Sequence, residues 1–67
     1  MMEVEVFYTD QREPEVFAFV ESFDDTTYPF LISIKTFNPV NREVEDFRIN
    51  RDAVDMVVVR FERGIDD

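Results

Sequence analysis

The side chains able to do acid–base or metal chemistry in this 67-residue chain are almost all carboxylates. The chain has 16 Asp and Glu residues, no His and no Cys. Without imidazole or thiol groups, the common general bases, nucleophiles and transition-metal ligands are missing. Carboxylate pairs flanking a cleft, as in glycosidases, remain as catalytic candidates. A domain of this size has little room for a cleft besides its core, so we predict that the protein is not an enzyme.

Neighbouring acids raise the question of a hard cation. The pairs Asp24 with Asp25 and Asp66 with Asp67 offer the oxygen ligands that Ca²⁺ and Mg²⁺ prefer. Neither pair has the alternating acids followed by glycine that build a calcium-binding loop. We therefore predict a solvated turn, a solvated tail, and no metal or cofactor.

The net charge of the chain restricts the classes of molecule that it can bind. Seven basic residues leave a formal charge of −9, and a field of this sign repels nucleic acid and anionic lipid. We expect no direct binding to DNA, RNA or a membrane. Acids two residues apart on a strand lie ~6.6 Å apart on one face, close to the spacing of phosphates along a nucleic-acid strand. A DNA-mimicking inhibitor of a nucleic-acid-binding protein is therefore one hypothesis. Ordinary solubility, protection of sheet edges and adaptation to high salt are alternative explanations.

The chain is nevertheless apolar enough to fold. Hydrophobic residues make up 45% of it, including eight Phe, whereas disordered acidic tails are poor in aromatics. Its length predicts one domain over residues 1–67, with a core that supplies only ~3–5 kcal/mol. Charges interrupt every apolar segment, and the N-terminus lacks the basic residues of a signal peptide. We expect a cytoplasmic protein without a membrane anchor.

Period-2 alternation predicts five short strands. They cover approximately residues 2–9, 15–23, 29–37, 42–49 and 54–61, separated by the turn segments "DQREP", "DDTTYP" and "NPVN". In the fourth segment the apolar parity changes between Val44 and Phe47. This phase fault predicts a β-bulge near residues 45–46.

The polar stretch "NRDA", residues 50–53, interrupts the strand pattern of "FRINRDAVDMVVVRF". Asn50 is a good N-cap and Asp52 suits the first turn of a helix, so a single 3₁₀ or helical turn is predicted there. In the last strand, Val57, Val59 and Phe61 should then face inward. The segment "FRINRDAVDMVVV" resembles the end of SH3-like barrels, including the Sm-like group. That resemblance implies an all-β, five-stranded SH3-like barrel, closed or half-open.

Simple alternation makes the second and third strands apolar on both faces. One face carries aliphatic residues, among them Val20, Ile32 and Ile34, and the other carries five large residues: Phe17, Phe19, Phe23, Leu31 and Phe37. Strongly bent strands could bury both faces in one core. If they do not, the aromatic face exposes more apolar surface than a monomer usually does.

This second face is the predicted binding site. Rimmed by the carboxylates of Glu3, Glu5, Glu21 and Glu45, it would have the aromatic core and polar rim of a protein interface. The leading hypothesis is a non-enzymatic protein-interaction domain with a basic protein partner. A structural homo-oligomer is an alternative: a dimer or ring that closes through edge strands, with the first and last strands as its interface.

Overall fold

The computed structural model describes residues 2–61 as five antiparallel strands in one sheet, in the order β4-β3-β2-β1-β5. The strands are β1 Met2–Tyr8, β2 Glu15–Asp24, β3 Leu31–Asn38, β4 Glu43–Asn50 and β5 Val54–Phe61. A single 3₁₀ turn, Arg51–Ala53, precedes β5. The predictions of an all-β chain with five strands and one such turn are confirmed. The sheet is not closed, because β4 and β5 are its edges and no ladder joins them within residues 2–61.

The 3₁₀ turn is capped as its sequence predicts. The Asn50 side chain accepts a hydrogen bond from the Asp52 amide at 3.0 Å, and the Val54 amide donates to the Arg51 carbonyl at the other end. The turn is also fixed from outside. The Thr9 amide donates to the Ala53 carbonyl, which joins the turn to the segment after β1. The chain therefore turns a corner between β4 and β5.

Strand β2 departs from simple alternation at two places. Against β1, Val4 pairs with Phe17 and Met2 pairs with Val20, so β2 contains one residue more than its partner between these pairs. Phe19 lies in this bulge with φ 56°. Against β3, a second irregularity places one extra residue, Glu21, before Ser22. Bulges of this kind bend a strand and shift its side-chain parity.

The bend divides β2 between two parts of the sheet. Its first half pairs with β1 and its second half with β3, and Val20 is the one described position with a partner in both ladders. The inward residues of β2 therefore recur every third position. Phe17 and Val20 are buried, and Phe23 packs against them at the edge of the core.

The core is small and entirely apolar. Phe17 is 6% exposed, and its ring lies 5.0 Å from that of Phe47 at an interplanar angle of 58°. The ladder places Val57 of β5 beside Val6 of β1. Among residues 2–61, six side chains are buried: Val4, Val6, Phe17, Val20, Ile32 and Ile34.

The predicted bulge near residues 45–46 is wrong. The ladder between β3 and β4 runs without a register shift from Leu31 and Asn50 to Asn38 and Glu43. Val44 caused the apparent phase fault because it is an exposed residue on the outer face, opposite Phe37. Within the described part of the chain, no helix is long and apolar enough to cross a bilayer.

Candidate interaction site

The five large residues predicted to form one aromatic face do not share a face. Phe17 is buried in the core and Phe23 packs against it. Leu31 is half-buried at the start of β3, where it pairs with Asn50. Strict alternation placed Phe17 and Phe23 on the face opposite Val20. One bulge lies between Phe17 and Val20 and the other between Val20 and Phe23, so all three side chains face the core.

Phe19 and Phe37 remain on the surface, and the structure brings them together. They are 41% and 38% exposed and line one groove of about 340 Å³, which we call the Phe groove. Its other lining residues are Ala18, Thr36, Asn38, Pro39, Val40 and Glu45. A shallower depression between the same two Phe side chains is lined by Val20 and Glu21.

The Phe groove lies where β2 and β3 separate. Their ladder ends at the pair of Val20 and Thr36, beyond which β2 pairs with β1 and β3 pairs with β4. Phe19 is held in the bulge at φ 56°, in the left-handed region that a bulky residue rarely occupies. Such backbone strain costs of order 1–3 kcal/mol and is concentrated at functional sites.

Sequence reasoning missed Val40, which lies in the turn between β3 and β4 and is 92% exposed. It extends the apolar lining of the Phe groove beyond the strands. An aliphatic residue inside "NPVN", a turn whose other residues are all turn formers, was the available signal. The bulge itself had no comparable signal. Left-handed positions favour glycine and asparagine, and the residue in this position is Phe19.

Two of the four predicted rim carboxylates lie at the Phe groove. Glu45 lines it and Glu21 lines the adjoining depression, and no Lys or Arg lines either within residues 2–61. Glu3 and Glu5 do not line it. Both lie on β1, where the Arg60 guanidinium contacts their carboxylates at 3.3 and 3.1 Å. They form a half-buried ion-pair cluster with Arg60 of β5.

The outer face of β2, β3 and β4 carries a smaller, polar groove of about 190 Å³. Its charged side chains have mixed sign: Asp24, Lys35, Asp46 and Arg48. Arg48 lies 3.6 Å from Asp46, an exposed pair. The mixed charges and polar lining leave this groove without the apolar surface that protein interfaces use.

Among the described residues, Asp24 and Tyr8 have the largest pKa shifts, and both shifts have structural causes. Hydrogen bonds from Thr27 and then Thr26 lower the pKa of Asp24 to about 2. Partial burial, followed by the hydrogen bond that the Tyr8 hydroxyl donates to Glu15 at 2.6 Å, raises the pKa of Tyr8 to about 12. Neither group lines the Phe groove.

The described residues contain no cluster of three or more acidic side chains able to hold a metal ion. Asp24 instead accepts hydrogen bonds from the amides of Thr26 and Thr27, each at 3.0 Å. The other predicted acidic pair, Asp66 and Asp67, lies outside the described residues.

Comparison of the chain with protein families, curated proteins and solved structures found no match. The geometry of the Phe groove is therefore the main guide to function.

Proposed function

We propose that this protein is a non-enzymatic interaction domain that binds another protein through the Phe groove. The observation that carries the proposal is the placement of two half-exposed Phe side chains in one groove beside the exposed Val40. Aromatic side chains are enriched in the cores of protein interfaces. The strained backbone of Phe19 supports the same assignment, because it holds a large apolar ring at the surface.

The partner is a basic protein. Glu21 and Glu45 border the apolar surface, and the chain carries a net charge of −9. Complementary charge accelerates encounter and selects among partners more than it adds affinity. The DNA-mimic hypothesis is weaker, because Arg60 partly neutralises the carboxylates of Glu3 and Glu5.

We propose further that the scaffold is a half-open barrel of the SH3-like, Sm-like type. The strand order, the bend of β2 at Val20 and the 3₁₀ turn before β5 support this assignment. Nuclear Overhauser contacts between backbone protons of β4 and β5 in solution would show closure. Their absence from a fully assigned spectrum is expected for the half-open form, and a complete ladder between the two strands would contradict it in favour of a closed barrel.

The test of function begins with an array of immobilised basic peptides. Phe19→Ser and Phe37→Ser should each abolish binding that the unmodified protein shows. Phe30→Ser is the matched control, because Phe30 is 72% exposed and does not line the Phe groove. Circular dichroism should show all three variants folded. Binding that survives both groove substitutions would contradict the proposal.

Self-association is the second candidate, and the unpaired edge of β5 favours it. Met56, Val59 and Phe61 on this strand are exposed, and an uncovered apolar edge can pair with another chain. Light scattering coupled to size exclusion distinguishes the two. A mass of 8.0 kDa leaves the groove available for a different protein. A stable dimer or ring would favour the homo-oligomer.

A further inference from the structure

The Phe groove has walls of unpaired strand as well as apolar side chains. On one side, residues 15–17 of β2 pair with β1 only, and the next two residues, Ala18 and Phe19, lie in the bulge and line the groove. On the other side, Phe37 and Asn38 of β3 pair with β4 only. In an antiparallel strand the N–H and C=O groups of one residue point to the same side, and those of the next residue point to the other side. Within residues 2–61, the backbone groups of these two segments that point into the groove therefore have no ladder partner.

We propose that the partner binds by strand addition: an extended segment lies in the groove and pairs with residues 15–19 of β2. This inference rests on the proposed function and specifies its binding mode. Strand addition takes its affinity from main-chain hydrogen bonds and its specificity from pockets for alternate side chains. Here the pocket between Phe19, Phe37 and Val40 receives one large apolar side chain.

Charge identifies the occupant as a segment with Arg or Lys next to that apolar residue. Glu21 and Glu45 make no ion pair among the described residues, in contrast to Glu3, Glu5, Asp10 and Asp46. Basic side chains flanking the apolar anchor would supply the missing counter-charges at the rim of the groove.

A second copy of this chain fits the groove poorly. It would bring a further charge of −9 to an already acidic surface. Of the six basic residues in the described range, three are in ion pairs: Arg12, Arg48 and Arg60. The Arg51 guanidinium donates to the carbonyls of Asp25 and Tyr28.

The test uses a short synthetic peptide in which Phe and Val alternate with Arg. Two versions are N-methylated at alternate amides, each blocking one edge of the peptide strand, and a third carries Glu in place of Arg. Each net hydrogen bond is worth about 1 kcal/mol, so removing two should weaken binding more than about tenfold. We expect this loss for at least one methylated peptide, and no measurable binding of the Glu peptide.

The site of addition is read by amide hydrogen exchange. The parent peptide should protect amides within residues 15–19, and Phe19→Ser and Phe37→Ser should remove that protection. Equal binding by parent and both methylated peptides overturns strand addition, while loss of binding in the groove variants would still support the proposed function. Protection confined to β5 or β4 overturns the inference by locating pairing at an outer edge. No binding of the parent peptide overturns it also, and failure of the whole peptide array then counts against the proposed function.

Discussion

Phe17 and Phe19 are two residues apart and of the same type, yet the structure predicts opposite responses to substitution. Phe17 is 6% exposed and packs on Phe47. Replacing a core Phe by Ala costs ~3–5 kcal/mol, and a domain of this size has only ~3–5 kcal/mol of net stability. Phe17→Ala should therefore be largely unfolded at 25 °C, even without denaturant.

Substitution at position 19 should cost less stability, because the Phe19 side chain is 41% exposed and its backbone is strained. Full burial of such a side chain contributes ~1.5–3 kcal/mol, so partial exposure limits the cost of Phe19→Ala to about 1 kcal/mol. Gly adopts φ 56° without the penalty of ~1–2 kcal/mol that a side chain incurs there. Phe19→Gly should consequently be about 1 kcal/mol more stable than Phe19→Ala, the reverse of the order at an ordinary strand position.

Urea denaturation followed by far-ultraviolet circular dichroism measures these differences as midpoint shifts at constant slope. The matched comparison is Val16→Ala against Val16→Gly, at an exposed position of the same strand with ordinary geometry. There Ala should be the more stable. A Phe19→Gly variant less stable than Phe19→Ala would contradict strain at position 19. A loss of less than about 1 kcal/mol in Phe17→Ala would contradict a core role for Phe17.

Three further predictions concern groups outside the Phe groove. Because the folded-state pKa of Asp24 is lowered to about 2, its contribution to stability is present above its ordinary pKa of 3.8 and is lost as the pH falls through about 2. An NMR titration of the carboxyl carbon should give this midpoint, and Asp24→Asn should abolish the associated acid sensitivity of its loop. Because the pKa of Tyr8 is raised to about 12 from 10.0, its contribution is present below pH 10 and is lost as the pH rises through 12. In a Tyr28→Phe background, the tyrosinate absorbance should titrate near 12, and Glu15→Gln should move that midpoint downward. Arg51→Met removes the hydrogen bonds to the loop before β3 and should cost about 1.5 kcal/mol, with faster amide exchange in residues 25–30; unchanged exchange there would contradict this role.

The features predictable from the sequence were the local ones. Period-2 alternation located five strands because each strand packs apolar side chains against the core. The 3₁₀ turn was predictable because its cap is a contact between near neighbours, Asn50 and Asp52. Both patterns are decided within a few residues, so neither depends on how the strands are arranged in the sheet.

The features that failed depend on pairing between strands. The bulge at Phe19 lies where β2 changes from pairing with β1 to pairing with β3. No glycine or asparagine in the sequence marks this position. The opposite error occurred in β4, where Val44 looked like a register fault but is an exposed neighbour of Phe37. Of the residues predicted to form the site, Phe19, Phe37, Glu21 and Glu45 lie in one region of the surface. Phe17 and Phe23 belong to the core instead, and Leu31, Glu3 and Glu5 do not line the groove.

The pairing of β1 with β5 has a consequence for the order of folding. The ladders from β1 to β4 join strands adjacent in sequence, whereas the ladder between β1 and β5 joins opposite ends of the described chain. Closing longer loops costs more entropy, so this ladder should form last. Until it forms, the uncharged run "MVVV" of β5 has no partner strand, and unpaired segments of this composition associate between chains. The yield of refolding should fall as protein concentration rises, and the fall should steepen with added salt, which screens the repulsion between chains of charge −9.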